Sequence, residues 1–139
     1  FYEPRTVHES SLSPCVHSIL ASRLGRLEKA YELFIQTARL DLDDFNREIH
    51  EGLHITSMAG TWMSVVEGFG GFRIVDDVPH FKPILPSEWQ SYSFKVQFRG
   101  RILRVEVSHG FTEIILESGD SLNIFLNNNP LKLNLPKHC

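Results

Sequence analysis

Hydrophobic and polar positions follow two different rhythms along the chain, with the change near Phe72. From Pro14 to Leu24 the apolar positions Cys15, Val16, Ile19, Leu20 and Leu24 fall at helical spacing, and Gly25 is a suitable stop. Leu27, Ala30, Tyr31, Phe34, Ile35 and Ala38 continue the period, with Glu28, Lys29, Glu32 and Gln36 on other faces. So short a connection predicts an antiparallel helical hairpin. His54 to Val66 predicts a third helix, almost without charge before Glu67, in which Ala59 and Gly60 allow another backbone to approach closely. Glu67-Gly68-Phe69-Gly70-Gly71 then breaks it.

From Phe72 the period is two. Tyr92–Phe98, Ile102–Val107 and Thr112–Glu117 alternate cleanly, with turns at Arg99-Gly100-Arg101, Ser108-His109-Gly110 and Ser118-Gly119-Asp120. Ser121–Leu126 predicts another strand and Leu131–Leu135 a last one. Short strands joined by tight turns indicate a small antiparallel sandwich. The fold class expected is therefore α+β by segment, helices first and sheet afterwards. Three helices, one apolar on nearly every side, cannot cover one another's faces, so residues 1–68 are expected to belong to a larger helical body.

Composition narrows the function classes. The chain has 139 residues, 42% hydrophobic and 22% charged, as in ordinary soluble domains. A net charge of −3 argues against a nucleic-acid partner, which needs clustered Lys and Arg. No apolar run approaches the roughly 20 residues of a membrane span, so no membrane partner is expected. Two cysteines, Cys15 and Cys139, make no disulfide framework and fit a reducing cytoplasm. The opening Phe1-Tyr2-Glu3-Pro4, without methionine, reads as the middle of a longer protein.

Several stretches carry candidate chemistry. Ser13-Pro14 is a strong helix start, and His8, Glu9, Ser10 and Ser11 crowd just before it, where free N–H groups and hydroxyl donors suit an anion. Asp41-Leu42-Asp43-Asp44 lacks the third oxygen ligand and turn glycine of a calcium loop, and reads as a solvated turn whose aspartates cap backbone groups. His50-Glu51-Gly52-Leu53-His54 matches H-E-x-x-H, the helical zinc pattern of a hydrolase. However, Gly52 weakens the helical turn that zinc would require, and Ser57 and Gly60 replace the glycine and third histidine of the extended pattern. No metal is expected. Trp89, Tyr92 and Phe94 offer a sugar-stacking surface or, as the preferred reading, core packing.

The runs Tyr2–Pro14, Thr37–Asp44 and Gly52–Trp62 resemble glycoside hydrolase family 65, which includes maltose, trehalose and kojibiose phosphorylases. The resemblance covers essentially the whole chain. It implies that residues 1–71 are the C-terminal part of an (α/α)6 barrel and 72–139 a C-terminal β-sandwich. It implies phosphorolysis of an α-linked glucose disaccharide with inversion, giving β-glucose 1-phosphate, with inorganic phosphate as co-substrate and no other cofactor. Maltose is the first guess for the disaccharide. Phosphate is already an anionic nucleophile, so an anion pocket can replace the base of an inverting hydrolase, while one general acid stays necessary.

For that pocket the resemblance implies Ser10, Ser11, His54 and Ser57, with His8 and Thr56 as further ligands or supports. The family's catalytic glutamate and its Lys-Gln-Ala-Asp segment match nothing in this chain, so no catalytic residue is assigned and the isolated chain is expected to be inactive. Its partners would be the rest of the barrel, the disaccharide and phosphate, and a homodimer would be unsurprising. The alternatives are a family hydrolase, a non-catalytic carbohydrate-binding or scaffold subunit and, last, a zinc hydrolase through His50-Glu51-Gly52-Leu53-His54.

Overall fold

The computed structural model describes residues 13–43 and 54–136. The chain divides into two compact units, Phe1–Gly68 and Phe69–Cys139. The first contains helices α1 (Ser13–Arg23), α2 (Leu27–Ala38), α3 (Leu40–Asp43) and α4 (Ile55–Met63), the last running on into a π-helical segment, Ser64–Phe69. The second contains strands β1 (Arg73–Val75), β2 (Val78–Phe81), β3 (Ser91–Phe98), β4 (Arg101–Ser108), β5 (Phe111–Ser118), β6 (Leu122–Leu126) and β7 (Asn129–Leu133). This is the expected helices-then-sheet class.

Gly25 ends α1 as its sequence suggests. It stands at φ +72°, where the Arg26 N–H reaches back to Ala21 O at 2.9 Å and the Gly25 N–H to Ser22 O at 3.1 Å. Such paired bonds satisfy carbonyls that the helix end would otherwise strand. The buried stripe of α2 is Ala30, Leu33, Phe34 and Thr37, rotated from the expected one: Leu33 and Thr37 replace Ile35 and the exposed Ala38. Thr37 tolerates burial because its hydroxyl donates to Leu33 O at 2.8 Å. Likewise Ser18, fully buried on α1, donates to Ala30 O at 2.8 Å and fastens the hairpin.

The close approach expected at Gly60 is present. A methyl group there would lie 2.9 Å from both Cβ and Sγ of Cys15 on α1. The third helix keeps α-geometry only to Met63, but in π form it runs on to Phe69, past the break expected from Glu67. Within the first unit its apolar side chains are uncovered: Ile55, Met58, Trp62 and Met63 are exposed, as are Val16, Leu20 and Leu24 of α1.

The second unit holds two sheets, ordered β1-β2-β6-β7 and β3-β4-β5. One side of the three-stranded sheet buries Phe94, Val96, Phe98, Leu103, Val105, Val107, Ile114 and Leu116, and the four-stranded sheet adds Phe81, Ile124 and Leu133 to the core. The pairings are antiparallel, as expected of the sandwich, except at one seam. β2 and β6 run parallel, His80 opposite Phe125 and Phe81 opposite Leu126, and the His80 and Phe125 rings stack at 4.5 Å. The hairpin β1–β2 is an addition. Its turn, Asp76-Asp77, and that of β6–β7, Asn127-Asn128, both take positive φ, which Asp and Asn tolerate and which suits two-residue hairpins.

Trp89, Tyr92 and Phe94 are packing residues. Trp89 meets Phe69 edge-on at 5.1 Å and Tyr92 at 5.5 Å, and Phe94 is buried alongside Tyr92. The Tyr92 hydroxyl lies 2.8 Å from Phe69 O and 3.0 Å from Ile84 O, one donor shared by two carbonyls. Burial pushes the phenol well above its ordinary value, only partly offset by the hydrogen bond at Ile84. Since folding raises this group above its free-chain value of about 10, its contribution is complete below that pH and is lost as pH climbs past it. We therefore expect this unit to unfold more easily above pH about 10. Tyr92→Phe should flatten that alkaline limb while costing about 1–3 kcal/mol at neutral pH, read by chemical denaturation.

Candidate phosphate site at the start of helix α4

Of the six residues expected to surround an anion, three are described and sit together on the first turn of α4. His54 precedes the helix at φ −84°, ψ 77°, Thr56 follows on the exposed side, and Ser57 is 2% exposed. Ser10, Ser11 and His8 lie outside the described residues. So do His50, Glu51, Gly52 and Leu53 of the zinc pattern, and among the described residues no group of three or more His, Cys, Asp or Glu could hold a metal.

The first turn is anchored by its own backbone. The Ser57 N–H donates to His54 O at 2.9 Å and that of Met58 to the same oxygen at 3.3 Å. The earlier N–H groups of a helix have no acceptor within it, which is why such a place attracts negative charge. Histidine is a poor N-cap, and His54 makes no side-chain capping bond of its own.

Asp41, thirteen positions earlier and expected only to decorate a solvated turn, holds the residue that precedes the helix. One carboxylate oxygen accepts the His54 backbone N–H at 3.0 Å. The other is 2.6 Å from His54 Nδ1. Both side chains are largely shielded, at 19% exposure for His54 and 17% for Asp41. The hydrogen bond from the imidazole, ahead of any other influence, holds the Asp41 carboxyl below the usual carboxylate range. Asp43, also expected to lie in a solvated turn, pairs instead with Arg39, whose Nε is 2.6 Å and Nη2 2.7 Å from its two oxygens.

A cavity of about 280 Å³ lies beside this turn, lined in part by Leu40, Asp41, Leu42, Ser57, Met58 and Thr61. Its ionisable wall is a carboxylate, so the cavity alone repels an anion. What can attract one is the helix opening, whose first N–H groups have no acceptor within the helix. Asp41 is thus the residue that sequence reasoning missed. No local pattern signals it, because the pairing joins residues thirteen positions apart.

Comparison with known proteins follows the same division of the chain. The model of the glycosyl hydrolase family 65 central catalytic domain matches residues 1–63, and that of the family's C-terminal domain matches 72–133. The maltose phosphorylase of Bacillus subtilis (strain 168) is 48% identical over 133 residues, which is 96% of this chain and 18% of that protein. An α,α-trehalose phosphorylase of Thermoanaerobacter brockii is 46% identical over 90% of this chain and 16% of its own length. A solved structure from the human microbiome, provisionally assigned as a kojibiose phosphorylase, superimposes with a TM-score of 0.89 at 41% identity, covering 96% of this chain and 18% of that one.

The fold and these matches define a chain built from a helical segment followed by a β-sandwich segment. The chain belongs to glycosyl hydrolase family 65. It spans less than a fifth of the length of these curated relatives.

Proposed function

We propose that the chain is the C-terminal portion of a cytoplasmic, inverting disaccharide phosphorylase and contributes the phosphate-binding part of its site. The observation that carries this reading is the alignment of nearly the whole chain with phosphorylases of different sugars. Phosphorolysis is what their names share, whereas the disaccharide differs from one to the next. A phosphate oxygen would attack the anomeric carbon from the face opposite the glycosidic bond. That bond breaks, and the departing oxygen takes a proton from an acid carried outside this chain. His54, Ser57 and Thr56, with Ser10, Ser11 and His8, would hold the phosphate. Each hydrogen bond to a charged oxygen is worth about 1.5–3 kcal/mol before desolvation.

The test is phosphate-dependent cleavage of maltose, trehalose and kojibiose by the full-length protein, with the anomer of glucose 1-phosphate assigned by NMR. We expect β-glucose 1-phosphate from one of the three, and no turnover from the isolated 139-residue chain. Free glucose formed without phosphate would establish hydrolysis instead.

A further inference from the structure

We propose that the outer face of the β3–β4–β5 sheet carries a binding site for a neutral oligosaccharide, in a groove walled by Phe111. The groove measures about 490 Å³ and is lined in part by Ser91, Ser93, Glu106, Ser108 and Phe111. That is a volume typical of small-molecule sites. Strand register assembles it. Ser91 stands opposite Ser108, and Ser108 opposite Phe111, while one step along the sheet Ser93 stands opposite Glu106. Residues two apart on a strand share a face, so all five lie on the side away from the buried Phe94, Val105 and Ile114. Directly opposed side chains have Cβ atoms about 5 Å apart, so one small ligand can touch all three strands.

The fold leaves the binding capacity of these groups unused. Phe111 is 53% exposed, a large apolar ring beside a row of hydroxyls. Among the described residues, the Ser91, Ser93 and Ser108 hydroxyls have no hydrogen-bond partner. Glu106 is held in place: Arg104 pairs with its Oε1 and also reaches Glu117 Oε1 at 3.0 Å, and Lys95 is 2.7 Å from the other Glu117 oxygen. The Glu106 charge is thereby balanced, and its second oxygen is left to accept.

A sugar matches this set. Its ring offers an apolar C–H face to an aromatic ring and a rim of hydroxyls that both donate and accept. Serine hydroxyls can answer either way, and a carboxylate accepts from adjacent hydroxyls. An anion would instead meet Glu106 and, opposite it, Glu113, while the cations of this face, Lys95 and Arg104, are already paired. A protein partner needs a broader apolar centre than one ring supplies. The groove shares no residue with the start of α4, so it would serve a phosphorylase or a hydrolase alike.

The experiment uses full-length protein, run in native gels with and without soluble starch and titrated calorimetrically with maltopentaose. Wild type should be retarded by starch. Phe111→Ala should abolish the retardation and weaken maltopentaose binding about tenfold, the worth of covering the half of the ring that now faces water. Phe111→Tyr keeps the ring and should bind within about twofold of wild type. Melting temperature and turnover of the disaccharide that the enzyme cleaves should match wild type in both variants. Wild type that starch does not retard, or Phe111→Ala that binds like wild type, would overturn the site. So would an equal loss in Phe111→Tyr, or turnover falling in step with binding, which would move the contact to the active centre. Failure of phosphate-dependent cleavage with starch binding intact would instead remove only the phosphorylase reading.

Discussion

Gly60→Val, on the proposed function, should lower the full-length protein's kcat/KM for phosphate by about a hundredfold, although Gly60 lies almost two helical turns from His54. The cause is contact with α1. Any Cβ at residue 60 would stand 2.9 Å from Cys15 Cβ, and Cys15 is itself 3% exposed with no room to withdraw. On another side Thr37 Cγ2 would be in ordinary contact at 3.5 Å. The helix must move as a body, carrying His54 and Ser57 with it. Overpacking of this kind costs about 1–3 kcal/mol, partly returned by replacing a mid-helix glycine. A hundredfold is about 2.7 kcal/mol, so the losses of activity and stability should be of similar size in free energy. Steady-state kinetics beside a thermal melt would separate the two, and wild-type kinetics in this variant would show that α4 tolerates displacement.

Phe69→Ala should destabilise the second unit by about 3–5 kcal/mol, a large share of the stability of a small domain. Phe69 is fully buried, and its ring is packed edge-on by Trp89. Its carbonyl accepts the Ile84 N–H at 2.7 Å and the Tyr92 hydroxyl at 2.8 Å, so a cavity here would also loosen two hydrogen bonds. Denaturant unfolding would measure the loss. Phe69→Leu, which refills most of the volume, should recover more than half of it. A cost below about 1 kcal/mol for the alanine variant would mean that the aromatic cluster is not a core.

What the sequence disclosed follows from the range of the interactions involved. α1, α2 and the β3–β4–β5 meander were legible as elements because their periods, the Gly25 stop and the breaks at Gly100 and Gly110 are local, although the buried face of α2 is rotated and Val16, Leu20 and Leu24 of α1 are exposed. The hairpin β1–β2 was not. Its strands span Arg73–Val75 and Val78–Phe81, too short to show a period, and Pro79 interrupts the second. The parallel seam between β2 and β6 escaped because nothing local encodes a partner so far along the chain. The candidate site divides the same way. His54, Thr56 and Ser57 could be named from one contiguous run, whereas Asp41 enters only when α3 and the start of α4 meet in space. Its acidic neighbours made it look like one more turn residue.

The parallel seam has a consequence for the order of events during synthesis. The meander can zip up as soon as Ser118 leaves the ribosome, since all its neighbours are already made. The early hairpin has no such luxury. Until Leu122–Leu126 emerges, one edge of β2 carries unmatched backbone donors and acceptors, an invitation to pair with a foreign chain. A stop codon shortly after Ser118 should thus yield not a smaller sandwich but a sticky nascent product.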